Sequence, residues 1–139
     1  MSQNGKSILT LLNLYVENIS YTAIESSNSN EPILQFSREV SEASDGAHEV
    51  RLGVAGNYEN GAAFSIVMVG VFRIETSEPI NENAINTLYK DNTVAIMFPF
   101  LRTQLSLLTT QPGISPVLIQ PMNIVKLFEE AENESQSEE

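Results

Sequence analysis

The sequence predicts an α+β domain, a four-stranded antiparallel meander followed by helices packed on one face of the sheet. Three observations carry that expectation. Between Ser7 and Glu75 apolar residues recur at alternate positions, the period of a strand. Asp45-Gly46 and Asn60-Gly61 interrupt this stretch with residues that tolerate positive φ, as the tight turns of hairpins require. After Pro79 the apolar spacing lengthens to that of a helix, as far as Leu108 and again from Ile124 to Phe128.

The elements follow in order. "SILTLLNLYVENISYTA" is rich in strand formers, apolar on both faces at its start and one-sided later. "EPILQFSREV" alternates at Leu34, Phe36 and Val40 and reads as a second strand opened by Pro32. In "HEVRLGVAGNY" Val50, Leu52, Val54 and Tyr58 share one face, Glu49, Arg51 and Asn57 the other, and His48 is expected at the solvent edge. "AAFSIVMVGVFRIE" is apolar on both faces through Val71. "NENAINTLYKD" predicts a short helix, with acids and amides first and Lys90 near its end, as the helix dipole favours. A second helix, "NTVAIMFPFLRTQLSLLTT", is expected to be capped by Asn92 or Asp91 and stopped by Gln111-Pro112-Gly113, with Pro99 either bending it or marking where regular helix begins. The connection "GISPVLIQPM" is too apolar for a free loop, so Val117, Leu118 and Ile119 are expected to pack on something. "NIVKLFEEAE" closes the domain as an amphipathic helix with Ile124, Leu127 and Phe128 inward.

Residues 1–131 are therefore expected to form a single domain, and 132–139 a disordered acidic tail. That tail reads either as a solubilising end or as a tether for a positively charged partner. A chain of 139 residues buries roughly 68–70% of its unfolded surface, enough for one core. Cysteine is absent and histidine occurs once, which removes disulfides, thiol nucleophiles and Cys/His metal sites, so neither metal nor cofactor is expected. A net charge of −11 argues against binding nucleic acid phosphates or anionic membranes and favours basic partners. No apolar run approaches the ~20 residues of a membrane span, and the start of the chain does not read as a signal peptide. A cytoplasmic location is expected.

The second helix poses the main physical question. Phe98, Leu101, Leu105 and Leu108 form one stripe, yet Met97, Phe100 and Leu107 lie off it. One sheet cannot cover a helix that is apolar on every side. Another copy of the chain can, so a homo-oligomer is expected with Met97, Leu101, Leu105 and Leu108 at its interface.

These residues resemble the SecB family of bacterial protein-export chaperones. The resemblance begins at "LYVENISY" and continues through "HEVRLGVAG" and "VGVFRI". It is most specific in "IMFPFLR", similar to the family's Ile-Leu-Phe-Pro-Tyr-Ala-Arg, and closes with Gly113-x-x-Pro116, Pro121-x-Asn123 and Leu127-Phe128. It implies a homotetramer built as a dimer of dimers, with the long helices between two sheets. It implies no catalytic residue and no nucleotide. Unfolded preproteins would be held in apolar grooves and passed to the translocase ATPase SecA. The residues that match the groove are Phe64, Ile66, Phe98, Phe100, Val117, Leu118, Ile119 and Phe128. The family's motor-docking face is acidic. Its positions fall here near Asn18, Thr22 and Ser65, with Glu17, Glu25 and Glu75 as the neighbouring acids. Strict alternation puts Glu17 on the face opposite Asn18.

Two other functions are open to the same residues. Some SecB relatives are dedicated to one client, such as an antitoxin, and the same grooves would serve that role. A small enzyme or ligand-binding domain would need acid pairs such as Glu75 and Glu78, or Glu129 and Glu130, to act in proton transfer. Acids at strand ends and in tails are usually just solvated, which makes this the weakest reading.

Overall fold

The computed structural model describes residues 7–22, 32–57, 63–110, 117–119 and 122–137. Strands β1 (Ser7–Thr22), β2 (Ile33–Glu42), β3 (His48–Asn57) and β4 (Ala63–Thr76) form one antiparallel sheet. Its order is β1-β4-β3-β2. The α+β class holds, and β2, β3 and β4 are a meander, but β1 leaves that pattern and lies beside β4. The cause is legible in hindsight. The chain between Thr22 and Pro32 has no two-residue turn signal, so β1 need not pair with the strand that follows it. The β2–β3 turn is the expected one, with Asp45 at φ 58° and Gly46 at φ 77°. Asn60-Gly61 lies outside the described residues.

Strand β1 carries two bulges, between Leu11 and Asn13 and between Val16 and Asn18. Each adds one residue against β4 and breaks the alternation of faces. Leu9, Leu14, Val16 and Tyr21 still reach the helix side, where they pack on the core. Glycines permit the closest approaches. A Cβ on Gly56 would stand 2.1 Å from the Phe64 ring, and one on Gly70 would stand 2.9 Å from Met97 Sδ.

Helix α1 (Glu82–Thr87) starts at Asn81, whose Oδ1 accepts the Ala84 N–H at 2.7 Å. A π-helical turn, Leu88–Asn92, then runs straight into α2 (Thr93–Leu108). The two helices expected from the sequence are thus one continuous bent rod. Asn92 has helical dihedrals and caps nothing, because the π turn absorbs the change of direction without ending the backbone ladder. Helix α3 (Ile124–Ser137) is opened by Asn123, whose Oδ1 accepts the Lys126 N–H at 3.0 Å. It runs past Glu132, where the apolar periodicity gives out.

The core lies between the sheet and the helices. Val50, Leu52, Val54, Phe64, Ile66, Met68 and Phe72 meet Tyr89, Val94, Met97, Phe98, Leu101 and Leu105. Each fully buried side chain of this size contributes about 1.5–3 kcal/mol. Phe98 also meets Phe36 edge to face, ring centroids 5.9 Å apart.

Candidate client-binding surface

Helix α2 divides its apolar residues between two opposite faces. Met97, Leu101 and Leu105 are fully buried against the sheet, and Leu108 is partly buried on the same core. The expected interface set therefore packs within its own chain. A 3.6-residue period shows that a stripe is apolar but not which stripe the sheet takes. The stripe left outside is Ile96, Phe100 and Leu107. Pro99, on that outer side, lacks an N–H to give the Ala95 carbonyl, and both residues are exposed.

The residues matched to the groove separate in the same way. Phe64, Ile66, Phe98 and Phe128 are core, and Val117 is buried beside them. Phe100 is 49% exposed and Leu118 68% exposed, while Ile119 is half-buried against the core. Thr109 makes this possible, and sequence reasoning did not single it out. It is fully buried, its hydroxyl donates to the Leu105 carbonyl at 2.9 Å, and the same oxygen accepts the Val117 N–H at 2.8 Å. Val117 is thereby pinned inward, and Leu118 beside it stays in the open.

A groove of ≈ 550 Å³ is lined by Leu9, Thr87, Asp91, Asn92, Ala95, Ile96 and Val125, and none of the residues matched to the client groove lies in that lining. Strand β1, the helical bend and α3 each supply part of its wall. Beyond it, β1 is an edge strand with Ile8, Leu11, Leu12, Tyr15 and Ile19 exposed. Edge backbone groups beside apolar side chains are a template for a further strand.

The acids near the expected docking face are placed differently. Glu17 is the extra residue of the second bulge, and its Oε2 stands 2.9 Å from Nη2 of Arg51 on the outer sheet face. It therefore shares a face with Asn18, contrary to strict alternation. Glu49 meets the same guanidinium at 3.2 Å. The Arg51 hydrogen bond, aided by its charge, holds the Glu17 carboxyl below the usual range, and Arg51 is itself raised. Glu75 is exposed near the end of β4, and Glu25 lies outside the described residues. His48 is not a solvent-edge residue. Its ring stacks on Tyr89 with centroids 3.7 Å apart, and its buried Nδ1 has no hydrogen-bond partner among the described residues. Among those residues no three acids or histidines come together to hold a metal, and no helix is long and apolar enough to cross a membrane.

Comparison with known proteins gives the same pattern a family. The protein-export protein SecB of Xanthomonas euvesicatoria pv. vesicatoria (strain 85-10) is 29% identical over 139 residues, covering 93% of this chain and 80% of that protein. The one from Xanthomonas campestris pv. campestris (strain 8004) is 30% identical over 131 residues, 87% of this chain and 75% of that one. A solved SecB-like chaperone of Mycobacterium tuberculosis, in complex with a ChAD peptide from the HigA1 antitoxin, superposes with a TM-score of 0.68. It covers 82% of this chain and 90% of its own at 12% identity, a likeness of fold. The profile of preprotein translocase subunit SecB matches residues 2–135, and the chain belongs to the SecB family.

Proposed function

We propose that this protein is a holdase that binds unfolded precursor polypeptides without ATP in the cytoplasm and delivers them for export through the Sec translocase. Membership of a family of export chaperones supports the role. The observation that carries it here is the apolar surface left outside a complete core, on β1, on the outer stripe of α2 and at Leu118 and Met122. Burying such surface favours association at about 25 cal/mol per Å², whatever the sequence of the partner. Leu118 and Ile119 are the groove residues a client reaches first, and Phe100 belongs to the stripe that a second copy covers. Val117, Phe128, Phe98, Phe64 and Ile66 form the floor behind them.

The same surface supports self-assembly. A second copy covers the Ile96–Phe100–Leu107 stripe, another extends the sheet at β1, and the two contacts together make the dimer of dimers. Leu108, at the edge of the inner stripe, borders that contact. SecA is the proposed recipient of the client, with Glu17 and Glu75 on the sheet as the acids nearest its docking face. The Arg51–Glu17–Glu49 cluster neutralises part of that acidity. This favours a second reading, a chaperone dedicated to one client such as an antitoxin and released without the motor.

Replacing Leu118 and Ile119 together by Ser tests the first reading. Loss of two apolar anchors weakens binding of an unfolded polypeptide by roughly tenfold or more while circular dichroism stays native. Undiminished affinity places the clients elsewhere. A dedicated chaperone instead binds a single segment and ignores a panel of unrelated unfolded chains.

A further inference from the structure

Arg38 stands on the helix-facing side of β2, opposite Leu52, with a side chain only 8% exposed. Its Nη1 donates to the Lys90 carbonyl and to Asp91 Oδ1, both at 3.1 Å. Nη2 donates to Glu132 Oε1 at 2.6 Å, and the guanidinium lies 4.5 Å above the Phe128 ring. Lys90 Nζ reaches the other oxygen of Glu132 at 2.9 Å. One carboxylate of α3 is thus held by two cations from two other elements. A buried cation on the inner face of an edge strand contributes little to a core. Here it joins the sheet, the helical bend and the last helix.

Helix α3 needs that tie. Among its described residues only Ile124 and Phe128 are buried, and Glu129 to Glu134 are all exposed. Its acids gather toward the C-terminal end, and no base stands in the last turn to offset the helix dipole. Val125 of the same helix forms one wall of the ≈ 550 Å³ groove.

We propose that Arg38 is an ionic latch that governs how often α3 leaves the sheet, and that its release widens the groove and uncovers Ile124 and Phe128 for clients. The proposal rests on the holdase reading above. Salt is its natural key, because the Glu132 side of the pair is half open to solvent and exposed charge pairs are screened.

Hydrogen exchange of the α3 amides in the full-length protein, at low and at ~1 M salt, decides the latch. In the unmodified protein salt speeds exchange across α3 roughly three- to fivefold, the scale of one partly exposed ion pair, and leaves the sheet unchanged. Glu132→Gln reproduces that acceleration at low salt. Arg38→Met keeps an apolar cover on Phe128 but loses that charge and leaves only the Lys90–Glu132 pair, so its α3 exchange responds less to salt than that of the unmodified protein. An equal salt response in Arg38→Met and the unmodified protein overturns the latch. Binding of reduced, alkylated trypsin inhibitor, a basic chain that stays unfolded, is measured in parallel at one ionic strength. Glu132→Gln binds it severalfold more tightly. Faster exchange with unchanged affinity overturns the gating. If the unmodified protein fails to bind the probe, the holdase reading and the gating fall together, and exchange alone still decides whether Arg38 latches α3.

Discussion

Gly56 and Thr109 show how single residues set this fold. The Phe64 ring lies across Gly56, where a Cβ would stand 2.1 Å away. Gly56→Ala therefore forces that ring off its position and costs about 1–3 kcal/mol of stability in urea unfolding. Thr109 closes the inward anchor of Val117. Thr109→Val keeps the shape but leaves a buried N–H unpaired, at a cost of about 1–3 kcal/mol by the same measurement. Glu17 carries a pH signal. Its folded carboxyl is depressed by the Arg51 hydrogen bond, so the pair's contribution is complete above the ordinary carboxylate range. It disappears as pH falls through the lowered value. Carboxyl NMR titration of Arg51→Gln is expected to return the Glu17 midpoint upward; an unmoved midpoint contradicts the assigned cause. The side that Glu17 faces was not readable from the sequence. A bulge is a property of two paired strands, and one strand alone shows only its own alternation.

At the scale of elements, the lesson of α2 is that an apolar stripe does not announce its partner. Phe98, Leu101 and Leu105 were legible as one face and proved to be the face the sheet covers. Leu101→Asp is therefore expected to unfold the subunit, since even Leu→Ala at such sites costs about 2–5 kcal/mol. Phe100→Asp on the opposite face leaves circular dichroism native and shifts light scattering to a smaller assembly. An unchanged mass removes Phe100 from the interface. The strands themselves were legible from their alternation, and the β2–β3 turn from Asp45-Gly46. The place of β1 was not, because a strand that returns to β4 leaves no local mark where it turns away. The length of α3 was hidden for a related reason. Glu132 looks like the start of a solvated tail until Arg38 and Lys90, far away in sequence, are placed beside it.

The whole molecule carries more apolar surface than its own core uses. The sheet's inner face and one side of α2 close a complete core, while the edge of β1, the back of α2 and Leu118 remain outside. A charge of −11 keeps such a surface dispersed and draws basic chains toward it. In the proposed function, assembly and client binding draw on one physical resource, divided between contacts that are regular and contacts that are not. Native mass spectrometry with and without an unfolded basic polypeptide tests that claim most directly. A tetramer that gains the mass of a bound polypeptide is the predicted result. A monomer that gains none contradicts it.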